Sequence, residues 1–71
     1  MDKEVIEYKV GDYYTLLETD DVVVIIEINN WEIYYSYVKS RWNYSSDECY
    51  GRPISAFQVT TTYAPEYNTP L

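Results

Sequence analysis

Histidine is absent from the 71-residue chain, and cysteine occurs once, at Cys49. Without histidine the chain can build neither a Ser-His-Asp triad nor a His-based zinc site. A single cysteine closes no disulfide within the chain, and a lone thiol fits a reducing compartment better than a secreted one. A catalytic thiolate needs a nearby cation, and Cys49 is preceded by Asp47 and Glu48 instead. Bases are also few, with 5 Lys and Arg against 12 Asp and Glu and a formal net charge of −7. That balance argues against direct contact with nucleic acid phosphates and against anionic membrane surfaces. The longest apolar run, Val22-Val23-Val24-Ile25-Ile26, falls far short of the ~20 residues needed to span a bilayer. Met1-Asp2-Lys3-Glu4 lacks the basic region and apolar stretch of a secretory leader. A cytoplasmic location is therefore expected. Ala and Leu are scarce, which disfavours a coiled coil.

What is abundant is tyrosine, with 10 in a chain that has only 1 Phe and 2 Trp. Aromatic and β-branched residues at this density favour a folded β domain over disorder despite the charge. A chain this short buries only about 60% of its unfolded surface, so a monomer is marginal. A homodimer, a higher oligomer or a partner protein would add buried area.

The period of the apolar pattern places the strands. Ile6, Tyr8 and Val10 alternate with Glu7 and Lys9, which predicts a first strand over 5–10. Gly11-Asp12 punctuates it, and 13–18 reads as a short second strand. Thr19-Asp20-Asp21 is a turn signal. The run over 22–28 predicts a strand covered on both faces. Asn29-Asn30 suits a tight hairpin through its tolerance of the left-handed conformation, and 31–39 returns as the partner strand. One face of that strand carries Trp31, Ile33, Tyr35 and Tyr37, and the other Glu32, Tyr34, Ser36 and Val38. Residues 40–52 are polar and aperiodic, which predicts a long connection. Pro53 opens a compact turn over 54–57, read as one turn of 3-10 helix, before a last strand over 58–63. The domain then spans 1–63, and 64–71, with Pro65 and Pro70, forms a mobile tail.

Val10-Gly11-Asp12, the hairpin over 22–39 and Pro53-Ile54-Ser55-Ala56-Phe57 leading into Gln58-Val59 together resemble a small SH3-like barrel. The fold class expected is all-β, either that barrel or a strongly bent five-stranded antiparallel sheet with a one-turn 3-10 helix before the last strand. The pattern is also similar to short acidic accessory proteins of bacteriophages, with their Gly-Asp opening, Tyr-rich hairpin and closing Phe-containing strand. That resemblance implies a phage-encoded inhibitor of a host or defence protein that handles nucleic acid, acting in the host cytoplasm. The SH3-like families bind Pro-rich peptides through an aromatic row and acidic loop residues. Tyr13, Tyr14 and Trp42 could imitate the row. The usual Ala-Leu-Tyr-Asp-Tyr-like stretch and Trp-Trp pair are absent, so no binding residues carry over.

Two residue classes could carry function. Acids such as Asp20, Asp21, Glu32, Asp47 and Glu48, if gathered on one face, would resemble a phosphate array and fit the basic groove of a partner. The plainer account is that they keep an aromatic-rich chain soluble. Neither Asp20-Asp21 nor Asp47-Glu48 has the oxygen spacing and central Gly of a calcium loop, so no metal is expected. Tyr34, Trp42, Tyr44 and Tyr50 lie in an aromatic-rich stretch. Tyr and Trp suit interfaces because they present large rings with a polar tip at low entropic cost. The plainer account there is core, with Trp31, Tyr35 and Tyr37 inside and the others covering it. Serines such as Ser45 and Ser46 have no base to activate them, and so small a chain builds no deep cleft around paired carboxylates. The expected function is therefore non-enzymatic, with no cofactor: a protein-binding inhibitor contacting a basic surface through Asp20, Asp21, Glu32, Tyr34, Trp42, Tyr44, Asp47, Glu48 and Tyr50.

Two other readings compete. An oligomer could sequester a small nucleotide between Tyr faces, with Arg41 or Arg52 on the phosphate. An SH3-like adaptor could bind an extended peptide with little salt dependence. Replacing Trp42 and Tyr44 by Ala is expected to weaken partner binding while the circular dichroism spectrum is retained. Unfolding of that variant would instead place both residues in the core.

Overall fold

The computed structural model describes residues 7–39 and 48–68. Its strands are β1 (Tyr13–Leu16), β2 (Val22–Ile28), β3 (Glu32–Lys39), β4 (Tyr50–Pro53) and β5 (Thr61–Tyr63), and its helices are α1 (Ile54–Thr60) and α2 (Pro65–Asn68). The strands form one antiparallel sheet in the order β4-β3-β2-β1-β5. The sheet is strongly curled into a half-barrel, the bent five-stranded all-β class that the sequence predicts.

The hairpin is its centre. Val23 pairs with Tyr37 and Ile25 with Tyr35, so these four side chains share the inner face. Two register shifts interrupt the ladder, at Val22/Val23 and Ile25/Glu27. Such bulges sharpen strand bending and twist, which helps a short sheet to curl. They also turn Ile26 and Val38 outward, where both are exposed, so β2 is not covered on both faces along its length. At the hairpin turn Asn29 works through its side chain. Its Oδ1 accepts from the N–H groups of Trp31 (3.1 Å) and Glu32 (2.8 Å). The only non-glycine positive φ among the described residues is at Asp20 (62°), not at either Asn. Asp20 turns the chain from β1 to β2 there, and the Leu16 N–H closes the turn on the Asp21 carbonyl at 2.8 Å.

The curled sheet encloses a core of Tyr14, Leu16, Val23, Ile25, Ile33, Tyr35 and Phe57. Phe57 enters from α1, with its ring centroid 5.4 Å from those of Tyr8 and Tyr14 and 5.8 Å from that of Tyr35. The helix is held at both ends. Its first N–H, on Ile54, donates to the Trp31 carbonyl at 2.7 Å. At its end the Thr60 and Thr61 hydroxyls donate back to the carbonyls of Ala56 (2.7 Å) and Phe57 (2.6 Å).

These bonds explain where the strand expectations fail. The compact turn over 54–57 is a seven-residue α-helix rather than one 3-10 turn, and the last strand shrinks to Thr61–Tyr63. Threonine favours strands, but here its hydroxyls satisfy the carbonyls of a helix end. Residues 7–10 form no strand. Tyr8 alone of that stretch packs on the core cluster, while Val10 is exposed. Tyr50–Pro53 is a strand inside the expected connection, recruited by pairing with β3. Trp31 is 68% exposed at the hairpin turn instead of joining the core. Residues 65–68, expected in the mobile tail, form α2, and Asn68 brackets Tyr13 by accepting from its N–H (3.0 Å) and donating to its carbonyl (2.9 Å). Among the described residues no helix is long and apolar enough to cross a membrane.

Phe57→Ala is expected to cost about 3–5 kcal/mol, read as a fall in the urea midpoint with an unchanged slope.

Candidate functional site

The candidate site is built where β3 meets β4. Their register pairs Tyr35 with Tyr50 and Tyr34 with Gly51. Alternation then sends Tyr35 and Tyr50 to the inner face and Tyr34, with Glu32, to the outer one. Glu27 of β2 pairs with Tyr34 and adds a second carboxylate-bearing position beside it. On the outer face the Tyr34 hydroxyl donates to Glu32 Oε1 at 2.9 Å. The ring lies across Gly51, where a Cβ would come within 2.7 Å of Tyr34 Cε1. Glycine is what lets that ring lie flat on the sheet. The hydrogen bond to the Glu32 carboxylate, and then its charge, push the Tyr34 phenol above its ordinary range.

A second acid–tyrosine pair sits at the other end of β4. The Tyr50 hydroxyl donates to Glu48 Oε2 at 2.7 Å, and the Glu48 carbonyl accepts from the Ser36 hydroxyl at 2.9 Å. Tyr50 also stacks on Tyr35 (6.0 Å, 29°) and meets Tyr37 edge to face (5.2 Å, 88°). It is therefore half core and half surface, which orients the exposed Glu48 from below.

The other sequence candidates lie elsewhere. Asp20 is exposed at the β1–β2 turn. Asp21 beside it is only 2% exposed, and its Oδ2 accepts from the Thr19 hydroxyl at 2.9 Å. The turn consumes that carboxylate, so Asp21 is a structural acid and presents little to a partner. Trp42, Tyr44 and Asp47 lie outside the described residues, as does Arg41. Arg52, considered above for a phosphate, is engaged within the fold. It donates to Glu18 Oε1 (3.1 Å) and to the Thr60 hydroxyl (2.8 Å), and its guanidinium lies 5.7 Å from the Tyr35 ring centre. Among the described residues no three His, Cys, Asp or Glu side chains gather in a way that could hold a metal ion.

A second constellation escaped the sequence reading. Tyr8, Tyr14 and Tyr63 line an open groove of about 680 Å³ beside β5, with Tyr14 centred 5.3 Å from Tyr8 and 5.5 Å from Tyr63. Period-two patterning hid it, because it assigned Tyr8 to a strand and gave no sign that residues 55 positions apart meet. Burial first, then the neighbouring Tyr8, Asp12 and Tyr63, push the Tyr14 phenol up to about 12. Burial raises Tyr8 as well.

The chain matches no protein-family model, no curated protein and no solved structure.

The Tyr14 shift fixes a direction for alkaline unfolding. The folded state keeps a phenolic proton that the unfolded chain loses near its ordinary value of 10.0. The stability linked to this group is therefore complete below pH 10.0 and is lost as pH rises toward about 12. Tyr14→Phe should flatten the stability profile in that window, measured by urea unfolding at stepped pH alongside phenolate absorbance.

Proposed function

We propose that this is a non-enzymatic protein-binding protein of the cytoplasm, and that its β3–β4 end docks on a basic surface of a partner. The observation that carries the reading is the pair of anchored carboxylates, Glu32 held by Tyr34 and Glu48 held by Tyr50. A carboxylate fixed by a phenol loses less side-chain freedom when a partner engages it than a free one does. Each hydrogen bond uses one oxygen and leaves the other to accept from Lys or Arg. The tyrosine rings beside them supply apolar contact area of the kind that interface centres favour. A net charge of −7 steers the encounter with a positive patch.

Glu32 lies on the outer face of β3 and Glu48 beside the inner-facing Tyr50 at the start of β4, so a basic groove that wraps this end of the sheet meets both, and such a groove also suits a phosphate backbone. The partner class this favours is a protein that handles nucleic acid, and occupying its basic surface inhibits it. The accessory-protein pattern of the sequence agrees with a phage-encoded inhibitor of a host or defence protein. Nucleotide sequestration draws less support, because Arg52 is committed to Glu18 and Thr60.

The test is a pull-down of the tagged chain from nuclease-treated bacterial lysate at low and high salt, with mass spectrometry of the retained proteins. A stoichiometric nucleic-acid-binding protein, lost at high salt, is expected. With that partner purified, the double variant Glu32→Gln, Glu48→Gln should bind on the order of tenfold or more weakly, mostly through slower association. Binding that ignores both salt and the double variant would refute the charged docking face.

A further inference from the structure

At the other end of the sheet from β4, β5 is the edge strand among the described residues. Among the described residues β5 pairs with β1 on one side and with no strand on the other. The Leu17 N–H donates to the Thr60 carbonyl, and the Ala64 N–H donates to the Tyr13 carbonyl. Residues 60 and 64 thus direct main-chain groups at β1. Antiparallel alternation turns the N–H and C=O of Tyr63 to the open side. A row of such groups is a template for another extended chain.

The aromatic groove runs along this edge. Its walls are Tyr8, Tyr14 and Tyr63, with Glu7 and Asp12 supplying two carboxylates against the one base, Lys9. Tyr14 is buried, whereas Tyr63 is 49% exposed. The groove therefore has an apolar floor and one ring face open to solvent. A ring face attracts a Lys or Arg head group, and the two carboxylates favour the same charge. The raised Tyr8 and Tyr14 phenols stay protonated at neutral pH and remain available as donors. A second copy of this chain is a poor occupant. It would bring another net charge of −7 and a second set of these carboxylates against the first.

We propose that the β5 edge accepts an extended, Lys- or Arg-bearing segment of a partner protein as a sixth strand, with alternate side chains of that segment lying in the Tyr8–Tyr14–Tyr63 groove. This inference is independent of the β3–β4 docking face. β5 is only three residues long, so main-chain pairing sets the direction of the segment while the groove selects its side chains.

The experiment uses the full chain and a labelled, acetylated peptide alternating Lys with Val, read by fluorescence anisotropy. Two companion peptides replace every Lys with Glu or methylate alternate backbone nitrogens. The Lys peptide is expected to bind and to slow hydrogen exchange at the Tyr63 amide. The Glu and N-methylated peptides should bind at least about tenfold more weakly. Tyr63→Ala should weaken the Lys peptide by about tenfold. Because Tyr63 also touches Tyr14, a second variant guards against misfolding. Glu7→Lys, at an exposed position, should weaken the Lys peptide and strengthen the Glu peptide. No binding of the Lys peptide, equal binding of all three peptides, or insensitivity to both groove variants would overturn the proposal. So would a Tyr63 amide already protected in the free chain, which means that the chain covers its own edge. A dimer that the Lys peptide fails to dissociate would assign the edge to a second copy.

Discussion

A half-barrel made from a single short sheet leaves its concave side to be filled, and in this chain Phe57 of α1 packs against it. Phe57 is fully buried and touches the rings of Tyr8, Tyr14 and Tyr35, which arrive from the segment before β1, from β1 and from β3. Tilted and edge-to-face contacts of this kind add about 0.5–1.5 kcal/mol per pair beyond the area they bury. The elements around Phe57 depend on its position. Helix α1 presents it, the Trp31 carbonyl starts that helix, and the Thr61 hydroxyl ties the start of β5 to the Phe57 carbonyl. The hairpin turn and the last strand are therefore both placed by hydrogen bonds to the helix that carries Phe57, at Ile54 and at Phe57 itself. With no disulfide available to the described chain, aromatic packing is the staple that a domain of this size needs.

Four of the described tyrosines show two uses of the same side chain. Tyr14 and Tyr35 place their rings in the core, and Tyr14 keeps its phenol there at the cost of a strongly raised pKa. Tyr34 and Tyr50 bring their hydroxyls to carboxylates at the surface. An amphipathic ring allows both uses from one residue type, and phenylalanine in their place would leave Glu32 and Glu48 without a holder. The abundance of tyrosine over phenylalanine thus follows from a chain whose core and surface lie only one side chain apart.

The hairpin was legible in the sequence because two long periodic runs flank a short polar turn, and local pattern suffices where partners are near in sequence. The all-β class was legible for the same reason. What pattern could not reveal were contacts set by distant partners. Tyr50–Pro53 has a Gly and a Pro in four residues and becomes a strand only because β3 lies beside it. Three successive threonines read as strand, yet Thr60 belongs to a helix because its hydroxyl finds the Ala56 carbonyl. Trp31 fell on the apolar face of an ideal alternation but sits in the turn, outside the pleat. Of the candidate site, the acids and tyrosines of β3 and β4 were legible as surface-capable residues, although their pairing was not. Asp21 was misread because an acid after a turn signal looks the same in sequence whether it faces water or the turn itself.

The bond pair between Asn68 and Tyr13 joins positions 55 apart, whereas the ladder of β2 and β3 closes locally. Loop-closure entropy makes the local ladder the cheaper one to form first. The β1–β5–α2 side then joins a meander that already stands. The same order run backward gives the molecule a graded stability. The β2–β3–β4 meander keeps its own hydrogen bonds when α2 lifts and β5 peels from β1, so excursions from the native state are concentrated at one edge of the sheet. Asn68, by bracketing Tyr13, holds shut the side of the fold that opens with the smallest loss of pairing.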